Sequence, residues 1–163
     1  MRALVAGIGN IFFADDGFGV EVARRLDDRE LPAGVQVADF GIRGIHLAYE
    51  LLNGYDLLVL VDAMPLGERP GTVAVVEVEV EAPDAEPHGG LDAHTMTPAT
   101  VLANLERLGG HVERIVVVAC QPAAIEEGIG LSPAVAAAVD GAADVVLDVL
   151  NGSFVNRREP RWA

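Results

Sequence analysis

The chain has 163 residues, enough for one domain with a sizeable core, and 51% of them are hydrophobic, which excludes a disordered chain. Twenty-five acids against eleven bases give a formal charge of −14, which disfavours nucleic acid and anionic membrane as partners. Every base is an arginine, so Schiff-base chemistry and a P-loop lysine are excluded, and the single Cys120 excludes an intramolecular disulfide and a CxxC zinc site.

The segment RALVAG (2–7) is a short apolar run closed by glycine and is predicted to be a buried strand. It leads into GIGNIFFADDGFG (7–19), a tight glycine turn that carries Asp15 and Asp16 into the start of a helix. That helix is expected over 17–29, where Phe18, Val22, Ala23 and Leu26 recur at helical spacing. VQVADF (35–40) is a second strand, ending at Asp39 and followed by Gly41 and Gly44. A helix over about 45–52 stops at Asn53-Gly54. Residues 57–61 form a continuous apolar run, an interior parallel strand, with Asp62 at its end.

Residues 71–81 turn into strict alternation of valine and glutamate, the pattern of an edge strand whose Glu77, Glu79 and Glu81 deter edge-to-edge pairing. A proline- and acid-rich loop follows over 82–92, then a helix from Thr97 or Pro98 to Leu108 that ends at Gly109-Gly110. ERIVVVA (113–119) is another buried strand, and 133–150 is a terminal helix with Ser132 as its N-cap. Strands alternating with helices predict an α/β fold: a single three-layer αβα domain with a mostly parallel twisted sheet and one alternating edge strand. The domain is expected over 1–151, with 152–163 as a C-terminal tail. No leader precedes the first strand and no apolar run reaches ~18 residues, so a cytoplasmic protein off the membrane is expected.

A dinucleotide-binding turn fits poorly. A G-x-G-x-x-G pattern starting at Gly7 puts Phe12 at the third glycine, and two carboxylates stand where a phosphate wants bare amides. Asp16 and Asp62, both at predicted strand ends or the loops leaving them, with His94 just before a helix, would make a hard-ligand metal site. Each has a structural alternative: Asp15 capping the turn, Asp62 and Asp39 capping loops. Of the other histidines, His46 is expected to pack among apolar residues, His111 to lie exposed at a turn, and His88 to sit in the proline-rich loop. Cys120 is read as a buried strand-end cysteine, with a nucleophile paired to His94 as the alternative.

These blocks resemble the endopeptidases that mature nickel–iron hydrogenases, over about residues 2–150. The family's G-x-G-N, acidic pair and G-x-G appear as Gly7, Gly9, Asn10, Asp15, Asp16, Gly17 and Gly19. Its D-G-G-T-x-G block corresponds to Asp39, Phe40, Gly41, Ile42, Arg43 and Gly44, so Phe40 and Ile42 depart from the family's glycine and threonine. Asp62-Ala63 matches its strand-end aspartate, AHTMTPATVLANL places its histidine at His94, and CQPAAIEEGIGLSPAV matches its late proline-containing loop.

The resemblance implies an endopeptidase that removes a C-terminal extension from the large-subunit precursor of a nickel–iron hydrogenase after nickel insertion. Asp16, Asp62 and His94 would contact the substrate's nickel and serve catalysis, while Asp39, Gly41 and Gly44 shape the substrate cleft. Nickel would come with the substrate, and no permanently bound cofactor is expected. Water would be activated either by metal or by the two carboxylates. Two alternatives stay open: a non-enzymatic nickel-dependent chaperone for the same precursor, and a stand-alone metal hydrolase that holds stoichiometric metal. An aromatic content of 5% and no apolar surface stripe point to a monomer.

Overall fold

The computed structural model of the chain describes residues 1–78 and 97–153. Among them, five strands form one sheet: β1 (Ala3–Ile8), β2 (Val35–Gly41), β3 (Tyr55–Ala63), β4 (Val73–Val78) and β5 (Val112–Cys120), in the order β2-β1-β3-β5-β4. Four helices, α1 (Phe18–Leu26), α2 (Gly44–Leu51), α3 (Pro98–Arg107) and α4 (Pro133–Leu150), cover its two faces. The first four strands in that order are parallel to one another, and β4 runs antiparallel on the outer edge of β5. This is the mostly parallel αβα sandwich that the sequence pattern predicts.

Interior parallel strands are covered on both faces, which is why the centres of β1, β3 and β5 read as unbroken apolar runs. Alternation along each strand sorts the core into two halves. Val5, Val59, Val61, Val116 and Val118 pack under α1 and α4, whereas Leu4, Leu58, Leu60, Ile115 and Val117 pack under α2 and α3. In α4, Val135, Val139, Ala142, Val146 and Val149 recur at three- and four-residue spacing, so one face of the helix is buried along its length.

Several boundaries differ from the sequence-based expectation. A 3₁₀ turn over Ala14–Gly17 holds both aspartates, and α1 proper begins only at Phe18. Strand β3 runs through Ala63, so Asp62 lies within the sheet opposite Ala119 and not in a loop beyond it. The edge strand is described over Val73–Val78; the expected extension through Glu79 and Glu81 lies outside the described residues. Glu77 is exposed, as expected, and pairs with Arg114 of β5 at 2.6 Å. His46 is corrected: it is exposed, because Leu47, Ala48 and Leu51 take the inward face of α2.

The connectivity decides where a site can form. From β1 the chain crosses through α1 to β2 on one side, then returns through α2 to β3 on the other side. Loops leaving the ends of β1 and β3 therefore part company, and such a parting opens a crevice beyond the carboxyl ends of the strands. Gly7 pairs with Asp39 of β2 and with Val61 of β3, so the three strands end at one level. The short link from α3 into β5 puts the C-terminal end of α3 at the opposite edge of the sheet. The N-terminus of α3 thus faces the crevice end.

Candidate active site

The turn after β1 is built around Asp16. Gly9 has φ +128°, a conformation that favours glycine, and a Cβ there would overlap the Asp16 carbonyl. Its amide donates to the Gly41 carbonyl at 2.9 Å, tying the turn to the end of β2. The Asn10 amide donates to Asp16 Oδ2 at 2.8 Å, and Asn10 Oδ1 accepts from the Phe12 amide at 2.9 Å. The G-x-G-N sequence is thus a local clamp on a carboxylate, which removes the phosphate-cradle reading. Ala14, with φ +52°, is the described non-glycine residue held in the left-handed region, a strain that the surrounding contacts must hold. Gly19 serves a different purpose: a Cβ there would run into the carbonyl oxygens of Val61 and Ile8, so α1 packs directly on the β1 and β3 backbones.

The two adjacent aspartates do different things. Asp15 is fully buried. It accepts hydrogen bonds from the amides of Ala123 and Ala124, and from both the amide and the hydroxyl of Ser132. Burial opposes its charge, but these four donors outweigh burial and hold the carboxyl below its ordinary range. Asp15 therefore does not cap its own turn, and that structural alternative fails. Ser132 does stand at the N-cap of α4, but its hydroxyl turns to Asp15 instead of back to its own helix. Asp16 is only partly buried and stays accessible from the crevice.

Asp62 approaches from β3. Its neighbours Val61 and Ala63 face the α1–α4 half, so by strand alternation Asp62 projects on the α2–α3 side. Burial first, and the like charge of Asp16 second, push its carboxyl up to about 8, with a hydrogen bond from the Ala63 amide working the other way. The electrostatic coupling marks Asp16 and Asp62 as a pair across the crevice, one from the β1 turn and one from the β3 end. Both causes favour a proton on Asp62.

Asp39 stands near the end of β2 in the same row, with its side chain exposed. Gly41, with φ +55°, turns the chain out of β2, and Gly44 opens α2. Arg43 stabilises this corner by donating to the carbonyl oxygens of Phe40 and Asp39 at 3.2 and 2.8 Å. His94 and His88 lie outside the described residues; α3, which follows His94, is N-capped by Thr97 and points its N-terminus to the crevice end. His111 is exposed at the far edge, as expected. Among the described residues no three His, Cys, Asp or Glu side chains cluster as metal ligands.

A sequence model described as hydrogenase maturation protease matches residues 20–149. The chain belongs to the hydrogenase maturation protease family. It is 34% identical over 157 residues to the hydrogenase 2 maturation protease of Escherichia coli (strain K12), covering 95% of this chain and 94% of that protein. A putative hydrogenase maturation protease of Methanocaldococcus jannaschii is 35% identical over 148 residues, covering 88% and 93%. Among solved structures, the hydrogenase maturating endopeptidase HybD from E. coli superposes with a TM-score of 0.74 at 29% identity, covering 94% of each chain. A hydrogenase 2 maturation peptidase from a thaumarchaeote gives 0.71 at 28% identity, covering 93% of this chain and 99% of that one.

Within this maturation protease the departures in the second glycine block have a structural account. Phe40 is buried in the α2–α3 core, where it fills volume, while Ile42 is left exposed at the corner. The cysteine alternative fails on chemistry. Cys120 is fully buried, with Sγ donating to the Gln121 carbonyl at 3.7 Å, and burial, then the Asp15 charge, push its thiol up to about 11. A groove of about 390 Å³ between α1 and α4, lined by Ile11, Ala14, Ile129, Leu131 and Val139 among others, includes none of Asp16, Asp39 or Asp62. Sequence reasoning passed over Gln121. Its Oε1 accepts from the Leu66 amide and its Nε2 donates to the Pro122 carbonyl, so it holds the loop that leaves Asp62. Its place directly after the strand-end Cys120 was the available signal.

Proposed function

We propose that this chain is an endopeptidase that removes a C-terminal extension from the nickel-loaded large-subunit precursor of a nickel–iron hydrogenase, with the precursor's nickel as recognition element. The observation that carries the reading is the coupled Asp16–Asp62 carboxylate pair where β1 and β3 part, in a member of the hydrogenase maturation protease family. The contact set is Asp16, Asp62 and His94, with Asp39 and the loop from Gly41 to Gly44 shaping the cleft. Two carboxylates and an imidazole leave positions open on a divalent ion, and imidazole suits nickel. Precursor cysteines complete that shell, so nickel is both cargo and anchor, and docking sets the scissile bond against the carboxylates. Precursor without nickel lacks the anchor, which gives the timing of cleavage a physical basis.

Two routes to hydrolysis are open to these groups. In one, the pair shares one proton: the ionised carboxylate takes a proton from the attacking water and the protonated one gives its proton to the leaving nitrogen. Burial and the like charge of Asp16 keep a proton on Asp62 well above the ordinary carboxylate range, which suits it to be the acid of the pair. In the other, the substrate's nickel polarises the scissile carbonyl. Both use the same contact set, and both are tested by one experiment. Purified precursor is incubated with this protein, with and without nickel loading, and read by intact mass. Loss of a C-terminal fragment from the loaded form alone supports the proposal. Cleavage of both forms overturns nickel recognition, and a stable complex without cleavage overturns the protease.

A further inference from the structure

We infer that Asp15 is a positioning residue for the reaction: it fixes where the neighbouring Asp16 carboxylate stands by locking the 9–17 turn to the N-terminus of α4. The inference rests on the reading of Asp16 as a group that contacts substrate. The lock is a dense one. Asp15 Oδ1 accepts from the Ser132 amide at 2.7 Å, and Oδ2 accepts from the Ala123 amide at 2.8 Å, the Ala124 amide at 3.2 Å and the Ser132 hydroxyl at 2.9 Å. Backbone bonds between the turn and the loop that leads into α4 run alongside: Ala14 to the Gly128 carbonyl at 2.8 Å, Gly128 to the Phe12 carbonyl at 2.8 Å, and Asp15 to the Ala124 carbonyl at 3.2 Å.

The two sides of this lock differ in rigidity. Helix α4 spans 18 residues and buries one face against the sheet and α1, so it is the fixed frame. The turn carries strain that outside contacts must hold, because Ala14 sits in the left-handed region, and the internal bond from the Asn10 amide ties Asp16 to that strained backbone. Asp15 and Asp16 share a peptide bond, so any slack at Asp15 displaces Asp16. A fully buried charge is costly unless every lone pair is engaged, and stability alone is served as well by apolar residues of similar volume. The charge at the positive end of α4 makes the contact strong and directional, which is what holding a reacting group requires. The acidic pair then divides into an inward residue that fixes the geometry and an outward residue that uses it.

The test compares Asp15→Asn, Ser132→Ala and Leu150→Ala in cleavage of nickel-loaded precursor, with stability measured for each. Asparagine keeps the shape but turns an amide donor towards the amides of Ala123 and Ala124. For Asp15→Asn, kcat is expected to fall by about tenfold or more while KM stays within about threefold. Its Asn10 amide resonance, which reports the bond to Asp16, shifts upfield. Ser132→Ala removes the hydroxyl alone and lowers kcat by roughly threefold, and it decides the matter should Asp15→Asn not fold. Leu150→Ala destabilises the far end of α4 and leaves both kcat and the Asn10 resonance unchanged. Wild-type kcat in the folded Asp15→Asn or in Ser132→Ala overturns the inference, as does an equal fall of kcat in Leu150→Ala. Full activity of Asp16→Ala overturns the reading of the site instead, and the Asn10 resonance of Asp15→Asn still reports whether the lock positions the turn.

Discussion

Replacing Asp62 with asparagine should make the protein more stable at alkaline pH and change little in acid. The folded state keeps a proton on Asp62 up to about pH 8, whereas the unfolded chain releases it near the ordinary 3.8. Between those values the folded state binds more protons, so wild-type stability falls as pH rises through the window and levels off above pH 8. At ~1.4 kcal/mol for each pH unit, the interval from 3.8 to about 8 sets a ceiling of roughly 6 kcal/mol. Asp62 keeps part of its surface open to water, and the response of that water reduces the expected figure to about 2–3 kcal/mol. Asparagine has the same shape and no proton to lose. The difference between Asp62→Asn and wild type should therefore grow from near zero below pH 3.8, through about a quarter of that figure at pH 5, to the full figure at pH 9, or about 6–9 °C in Tm. Urea denaturation at both pH values measures it, and taking the difference cancels the other titrating groups. Introducing Asp16→Asn into the wild-type background should move the upper end of the window to lower pH, by removing the like charge, and so shrink the total loss. A difference that stays constant from pH 5 to pH 9 would refute the buried, coupled carboxylate and with it the pairing of Asp16 and Asp62.

Gly19→Ala should cost about 3 kcal/mol, read as a fall in Tm of about 9 °C, because its Cβ meets the Val61 and Ile8 carbonyls and forces α1 off the sheet. Iodoacetamide at pH 7.5 should leave Cys120 unmodified and cleavage unimpaired in the folded protein, with alkylation by intact mass only after denaturation; rapid modification of the native thiol would contradict its burial. Asp16→Ala and His94→Ala should each lower kcat/KM for nickel-loaded precursor by about a hundredfold or more with little change in Tm, and full cleavage by either would remove that residue from the contact set. Gln121→Ala should raise hydrogen exchange at the Leu66 amide without unfolding the sheet, since the side chain that accepts from it is gone.

Much of the fold was legible because period and length are local properties. The apolar runs at 57–61 and 115–119 carry no polar alternation, which only a strand covered on both faces tolerates, and both belong to interior strands of the sheet. Ser-Pro at 132–133 and Asn-Gly at 151–152 bracket α4, and the helix runs over Pro133–Leu150 as expected. His46 was misjudged for a local reason as well: a helix of eight residues with apolar neighbours on both sides does not tell from composition which side faces the core.

The sequence by itself determined the chemistry available to this protein. It holds no lysine and one cysteine, and it carries an acidic pair in a glycine turn and an aspartate ending an apolar strand. Chain order, strand period and turn residues specify those facts, since each depends on a few adjacent positions. Only the tertiary structure decided how the acids are used. Asp15 and Asp16 are chemically identical neighbours, and nothing between them in sequence says which one turns inward. The partners of Asp15 at 123, 124 and 132 come from more than a hundred residues away, brought in by the crossover that seats α4 beside α1. The coupling of Asp16 to Asp62 has the same origin, because the order β2-β1-β3 sets the ends of β1 and β3 side by side and no local signal encodes strand order.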